Sequence, residues 1–287
     1  MKKIGLILLQ FTIACAGIIL VGALPSIFHQ KGQLINNFFD TIGEIVFGLI
    51  HIQDLKIVVR GDEYIIYPYI IEAIVYSFSI LFIALIIAYL FSIVLSIFTM
   101  LLPKLIREKI KFFVLVLESL PDLLVIILLQ LFVIYIFKKT GFLLMKVVTV
   151  GDERAFLLPI ISLAIIPTVQ LYRISILLFE EELIKNYVLL SKSKGLKWSF
   201  ILFVHVLRNI TISLFFHSKK TIWFMLSALV VVEVMNGIKG ITFFLTQVMV
   251  PEVFTIILLG FFTPIFFVYH LTKWIIERTV NNGGSIS

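Results

Sequence analysis

Residues Ile74–Leu101 read IVYSFSILFIALIIAYLFSIVLSIFTML, 28 positions without one Asp, Glu, Lys or Arg. A helix needs roughly 20 predominantly apolar residues to cross the hydrocarbon core of a bilayer. This stretch satisfies that condition alone. Five others do so as well: Ile4–Leu24, Phe112–Phe137, Phe156–Phe179, Ile210–Val234 and Phe254–Ile276. The 287-residue chain as a whole is 61% hydrophobic and 14% charged, with a mean hydropathy of +1.13. Soluble chains run at about 45–50% apolar and roughly 25% charged, so an ordinary soluble domain is excluded. Twenty-eight Phe beside 15 Gly and 8 Pro exclude collagen-like and disordered classes. The lone cysteine, Cys15, excludes a disulfide framework and a Cys-rich metal site. The expected fold is an all-α integral membrane protein with six transmembrane helices.

The first span follows Lys2-Lys3 in the manner of a signal peptide, but no small-residue cleavage site is clear and further spans follow. It reads as a retained anchor, with Cys15 a small buried residue inside it. Placing the N-terminus in the cytoplasm puts 14 basic residues inside or at the inner interface. These are Lys2, Lys3, Lys104, Arg107, Lys109, Lys111, Arg173, Lys185, Lys192, Lys194, Lys197, Arg208, Lys273 and Arg278. Eight fall outside: Lys31, Lys56, Arg60, Lys138, Lys139, Lys146, Arg154 and Lys239. The bias has the sign expected of cytoplasmic loops. Both termini are therefore expected inside, in a multi-pass protein of the plasma or inner membrane. The net charge of +7 reads as a topology signal. It does not read as a nucleic-acid surface, since no basic stripe is interleaved with exposed aromatics.

Residues 1–73 are read as the first helix plus an extracytoplasmic loop, in which Pro25–Tyr69 is expected to carry a helix lying at the surface. Residues 74–277 form the main transmembrane domain, and 278–287 a polar tail whose end, Asn281–Ser287, reads as disordered. No internal repeat is evident, which weighs against a transporter built from paired halves in one chain. The chain lacks a Gly-x-x-x-x-Gly-Lys-[Ser/Thr] phosphate loop, a His-Glu-x-x-His pair and a Gly-x-Ser-x-Gly elbow. Its five His (29, 51, 205, 217, 270) never fall four apart. No cofactor or metal is expected on this chain, and no enzymatic centre.

The most informative segment is the internal loop Glu180–Asn209. It runs Glu180-Glu181-Glu182-Leu183-Ile184-Lys185-Asn186-Tyr187-Val188-Leu189-Leu190-Ser191-Lys192-Ser193-Lys194-Gly195-Leu196-Lys197, then Trp198 to Asn209. The pattern predicts a helix, a stop or turn at Gly195, and a second helix leading into the membrane. Such a unit either presents a knob to a partner's groove or lies as an amphipathic loop on the inner leaflet.

Here the chain resembles the permease subunits of ABC importers, specifically the dipeptide/oligopeptide/nickel family. That family carries Tyr-Val-x-x-Ala-x-Ala-Lys-Gly-Leu and, some ten residues on, His-Ala-Leu-Arg-Asn. Tyr187-Val188, Lys194-Gly195-Leu196 and His205-Val206-Leu207-Arg208-Asn209 match in order and spacing, with Ser191 and Ser193 in place of Ala. Glu118-Ser119-Leu120-Pro121, Leu158-Pro159 with Leu171-Tyr172-Arg173, and Val230-Val231-Val232-Glu233 before Gly237 and Gly240 are weaker similarities along the rest of the chain. Asn236-Gly237-Ile238-Lys239-Gly240 replaces the family's Trp-Pro-Gly-x-Gly, and His270-Leu271-Thr272-Lys273 its Asn-Leu-x-x-Asp.

The resemblance implies a type-1 ABC importer permease fold, paired with a second homologous permease. Two cytoplasmic ATPase subunits would bind ATP–Mg, and an extracytoplasmic binding protein would deliver a peptide or similar small solute. A nickel or other metal chelate is the second choice, and a stand-alone channel or scaffold the rival. Leu189, Leu190, Ser191, Lys192, Ser193, Lys194, Gly195, Leu196 and Lys197 are then the expected ATPase-coupling loop. Charges inside spans are costly and usually find partners. Asp122, together with Glu118 one turn away, is expected to neutralise Lys219 or Lys220 or to line the path with them.

Overall fold

The structure is a computed structural model; it describes residues 2–29, 34–59, 62–149, 154–248 and 250–283. In chain order its helices are α1 (Lys2–Ala23), α2 (Ser26–His29), α3 (Leu34–Ile50), α4 (Tyr67–Leu101), α5 (Lys104–Glu118) and α6 (Asp122–Thr140). They continue as α7 (Leu157–Leu183), α8 (Asn186–Ser193), α9 (Trp198–Phe200), α10 (Leu207–Met235), α11 (Ile241–Gln247) and α12 (Pro251–Gly283). Six helical segments are long and apolar enough to cross a membrane: Gly5–Ala23, Tyr67–Leu101, Asp122–Thr140, Leu157–Leu183, Trp198–Met235 and Pro251–Ile275. The protein is thus an all-helical, multi-pass membrane type in its architecture. The one exception among the described residues is a two-stranded antiparallel hairpin, β1 (Lys56–Val59) with β2 (Asp62–Ile65), in register Lys56 with Ile65 and Val59 with Asp62.

The chain divides into two compact units, residues 1–78 with 239–287 and residues 79–238. In the first, α1 packs on α12, where the Phe11 ring lies 5.3–5.9 Å from those of Phe262, Phe266 and Phe267. The expected surface helix between the first two spans is α3. It buries Thr41, Ile45 and Gly48, one stripe at helical spacing, and exposes Phe39, Val46, Phe47 and Ile50 on the other side. The polar tail is corrected in part, because α12 continues through Gly283 and residues 278–283 are helical; residues 284–287 lie outside the described ones.

In the second unit α7 and α10 form the central pair. One stripe of α7, Tyr172, Ile176 and Phe179, packs with Met100, Val188, Ile201, Leu202, Val206 and Ile210 into a cluster. Leu171 packs separately with Ala88 and Leu214. Contacts at the two ends show the pair to be antiparallel: Asn209 reaches Glu182, while the residue after α10, Asn236, bonds to Thr149 ahead of α7.

The third expected span requires a correction. Phe112–Phe137 is not one helix: α5 ends at Glu118 and α6 begins at Asp122. Pro121 explains the break, having no N–H for the carbonyl four residues earlier and disfavouring helical backbone at Leu120. The lipid-length segment therefore begins at Asp122.

Candidate functional site

The internal loop is built on the last turn of α7. Glu182 follows Phe179 by three residues and so continues the buried stripe of that helix, carrying an acid to a position only 6% exposed. Such an acid needs hydrogen-bonding partners, and three side chains supply them. Lys185 Nζ lies 2.5 Å from Oε2, and Tyr187 donates its hydroxyl to Oε1 at 2.6 Å. Asn209 Nδ2 donates to the same oxygen at 2.7 Å. The chain on both sides of the loop is thereby fastened to one carboxylate. Burial first, and donation to Glu182 second, push the Tyr187 phenol up to about 12.

Helix α8 then divides by face. Val188 and Ser191, three apart, turn inward; Leu189 and Leu190 stay 51% and 56% exposed. Gly195 ends it. Its N–H bonds the Lys192 carbonyl at 2.9 Å and that of Leu196 bonds Ser191 at 3.3 Å. With Gly195 at φ +74° this is a Schellman stop. Beyond the turn, Trp198 Nε1 donates to the Met100 carbonyl at 3.3 Å, and the Lys192 ammonium stands 4.9 Å from the Trp198 ring centre. A π-helical turn, Ile201–Val206, joins α9 to α10 and carries His205. Leu189, Leu190, Lys192, Ser193, Lys194, Gly195, Leu196 and Lys197 thus form an exposed knob, with Ser191 its inward anchor.

Beside the knob, Lys111 of α5 pairs with Glu180 and, at 3.2 Å, with Glu108. Burial works against its charge, yet the hydrogen bonds to Glu180 and Glu108 outweigh it and hold the ammonium above the usual lysine range. At the opposite end of the unit, α10 stops in a second Schellman turn, with Ile238 N bonded to Glu233 O at 2.9 Å and Gly237 at φ +61°. There Gln130 donates to the Met235 carbonyl at 3.0 Å.

The four charges expected to act together are distributed differently. Glu118 and Asp122 do not share a helix face, because the break falls between them. Glu118 is paired with Arg173 of α7 at 3.1 Å. Among the described residues no ion pair joins Asp122 to Lys219 or Lys220. Both lysines lie on the outward side of α10, while Ser218 and Thr221 turn into the packing. Asp122 instead lines a small cavity with Ser162 and Leu163 of α7 and Phe224 and Ala228 of α10.

Glu182 is the residue that sequence reasoning missed. Its signal was the apolar stripe at 172, 176 and 179, which an acid at 182 extends. Among the described residues no group of three or more His, Cys, Asp or Glu is placed to bind a metal ion. The architecture defines a polytopic helical membrane protein. No protein-family model matches the chain, and no curated protein matches it.

Proposed function

We propose that this chain is the transmembrane subunit of an ABC importer in the cell membrane, with both termini cytoplasmic. It forms half of a translocation path with a second, homologous permease. Two cytoplasmic ATPase subunits carry ATP–Mg, and an extracytoplasmic binding protein supplies a peptide or similar small solute. A metal chelate is the second substrate class.

One observation carries this reading. The motif residues that resemble the importer family are those that shape the knob: Tyr187 and Asn209 meet on Glu182, Val188 is buried on the inward face of α8, and Gly195 sets the turn. A loop lying on lipid needs no such bracing. A knob that transmits force to a partner does. Lys219, Lys220, Glu118 and Asp122 are proposed to line or border the path.

Reconstitution with an ATPase and a second permease that co-purify with it tests the reading. ATPase activity that rises several-fold with the binding protein and its solute supports it. A chain that neither binds an ATPase nor alters its rate is a channel or scaffold instead.

A further inference from the structure

Asp122 lies where α5 and α6 break apart, half-buried and against the first half of α7 and the last half of α10. Among the described residues it has no lysine or arginine partner. Its negative charge is offset only in part by the amides that open α6. An ionised acid within the bilayer needs a counter-charge or a proton.

Two further residues, each with an oxygen left unused, border the same space. Several hydroxyls of the described helices bond back to a carbonyl three or four residues earlier, as Ser92, Thr99, Thr168, Thr211 and Ser218 do, while the buried Ser175 of α7 has no partner. Ser162 does not bond back either: its hydroxyl is 4% exposed at the residue level and has no hydrogen-bond partner. Pro167, inside α7, has no N–H to give the carbonyl of Leu163, four residues before it. Ser162, Leu163, Pro167 and Asp122 all line a cavity of about 10 Å³, room for one water-sized species.

We propose that Asp122, the Ser162 hydroxyl and the Leu163 carbonyl form a binding site for a small monovalent cation, sodium by size, at the break between α5 and α6. Hard cations take oxygen donors of these three kinds. A proton on Asp122 would let the acid donate one hydrogen bond to a neighbouring oxygen, so dependence on sodium separates the two. A cation held by all three oxygens would tie α6 to α7. Discontinuous helices with exposed backbone oxygens coordinate ions in membrane transporters by the same logic. The site stands on its own geometry, whether or not the chain belongs to an importer.

The test uses the full chain purified in detergent, with thermal unfolding and ²²Na⁺ retention measured in NaCl, KCl or choline chloride at one ionic strength. The expected result is saturable ²²Na⁺ retention, with unfolding raised by about 3 °C in sodium over choline. Asp122→Asn should abolish both differences, and Ser162→Ala should raise the half-saturating sodium concentration about tenfold. Equal unfolding in all three salts with no ²²Na⁺ retention would mean a bound water or a protonated acid, and overturns the proposal. So does sodium retention unchanged in Ser162→Ala, the variant to rely on if Asp122→Asn does not fold.

Discussion

Tyr187 donates its hydroxyl to Glu182 at 2.6 Å, and Asn209 donates to the same carboxylate oxygen from the other side of the loop. Two residues 22 positions apart are thereby held on the end of one helix. Replacing Glu182 by Ala removes the bonds to Lys185, Tyr187 and Asn209 together, although the exposed Lys185 and Asn209 regain water. The expected cost is about 3 kcal/mol, for several hydrogen bonds to one charged group. Tyr187→Phe removes the bond to Glu182 and the longer one, 3.3 Å, that the hydroxyl accepts from Asn209, and should cost about 1.5–3 kcal/mol. Trypsin cleavage after Lys192, Lys194 and Lys197 in membrane vesicles measures this. Cleavage should be fastest in Glu182→Ala, intermediate in Tyr187→Phe and slowest in the wild type.

The same bond sets a pH limit. The folded Tyr187 phenol titrates at about 12, above the usual 10.0. A raised folded pKa favours the protonated phenol in the folded state. Its contribution is complete below pH 10 and is lost as the pH rises towards 12. A tyrosinate absorbance titration of wild type minus Tyr187→Phe should isolate one group ionising near pH 12. A difference curve centred at 10 would mean that the phenol is neither buried nor bonded to Glu182.

Gly195 and Gly237 both occupy left-handed backbone, at φ +74° and +61°, but their surroundings differ. A Cβ on Gly195 meets nothing within 4 Å, whereas one on Gly237 would stand 2.9 Å from Val148 Cγ1. Gly195→Ala should therefore cost only the backbone term, on the order of 1 kcal/mol. Gly237→Ala should cost more, and Val148→Ala should restore part of the difference. Thermal unfolding of Gly195→Ala, Gly237→Ala and Gly237→Ala with Val148→Ala in detergent checks the order. Gly195→Val should leave the chain in the membrane while abolishing transport.

The proposed orientation rests on the distribution of Lys and Arg. With Cys15 replaced by Ser, a cysteine at Gly43 on α3 should react with an impermeant maleimide in intact cells. A cysteine at Ser193 should react only after permeabilisation. Labelling of Ser193 in intact cells would reverse the topology.

The membrane class and the six long helices were legible because apolar length needs no tertiary information. The knob's turn was legible too, since Gly after a Lys-rich helix end is a local signal. What was not legible depended on neighbours. The Phe112–Phe137 run looked continuous because its hydropathy hides the break that Pro121 imposes between α5 and α6. Counting residues along that run placed Glu118 and Asp122 on one face; the break instead gives Glu118 to Arg173. Glu182 stood inside a run of three acids that looks like solvated surface. Only the packing of Tyr172, Ile176 and Phe179 distinguishes it from Glu180 and Glu181.

The central claim is that the knob around Gly195 seats in an ATPase. Cysteines at Leu190 or Ser193, placed one at a time in a Cys15→Ser chain, address it directly. Each is co-expressed with the proposed partner ATPase and treated with a short bifunctional maleimide in permeabilised membranes. The account predicts a crosslinked band of permease plus ATPase from both positions, lost with Gly195→Val, and no such band from a cysteine at Phe47 on α3. Equal crosslinking from Phe47, or none from Leu190 and Ser193 in a complex that still hydrolyses ATP, would contradict it.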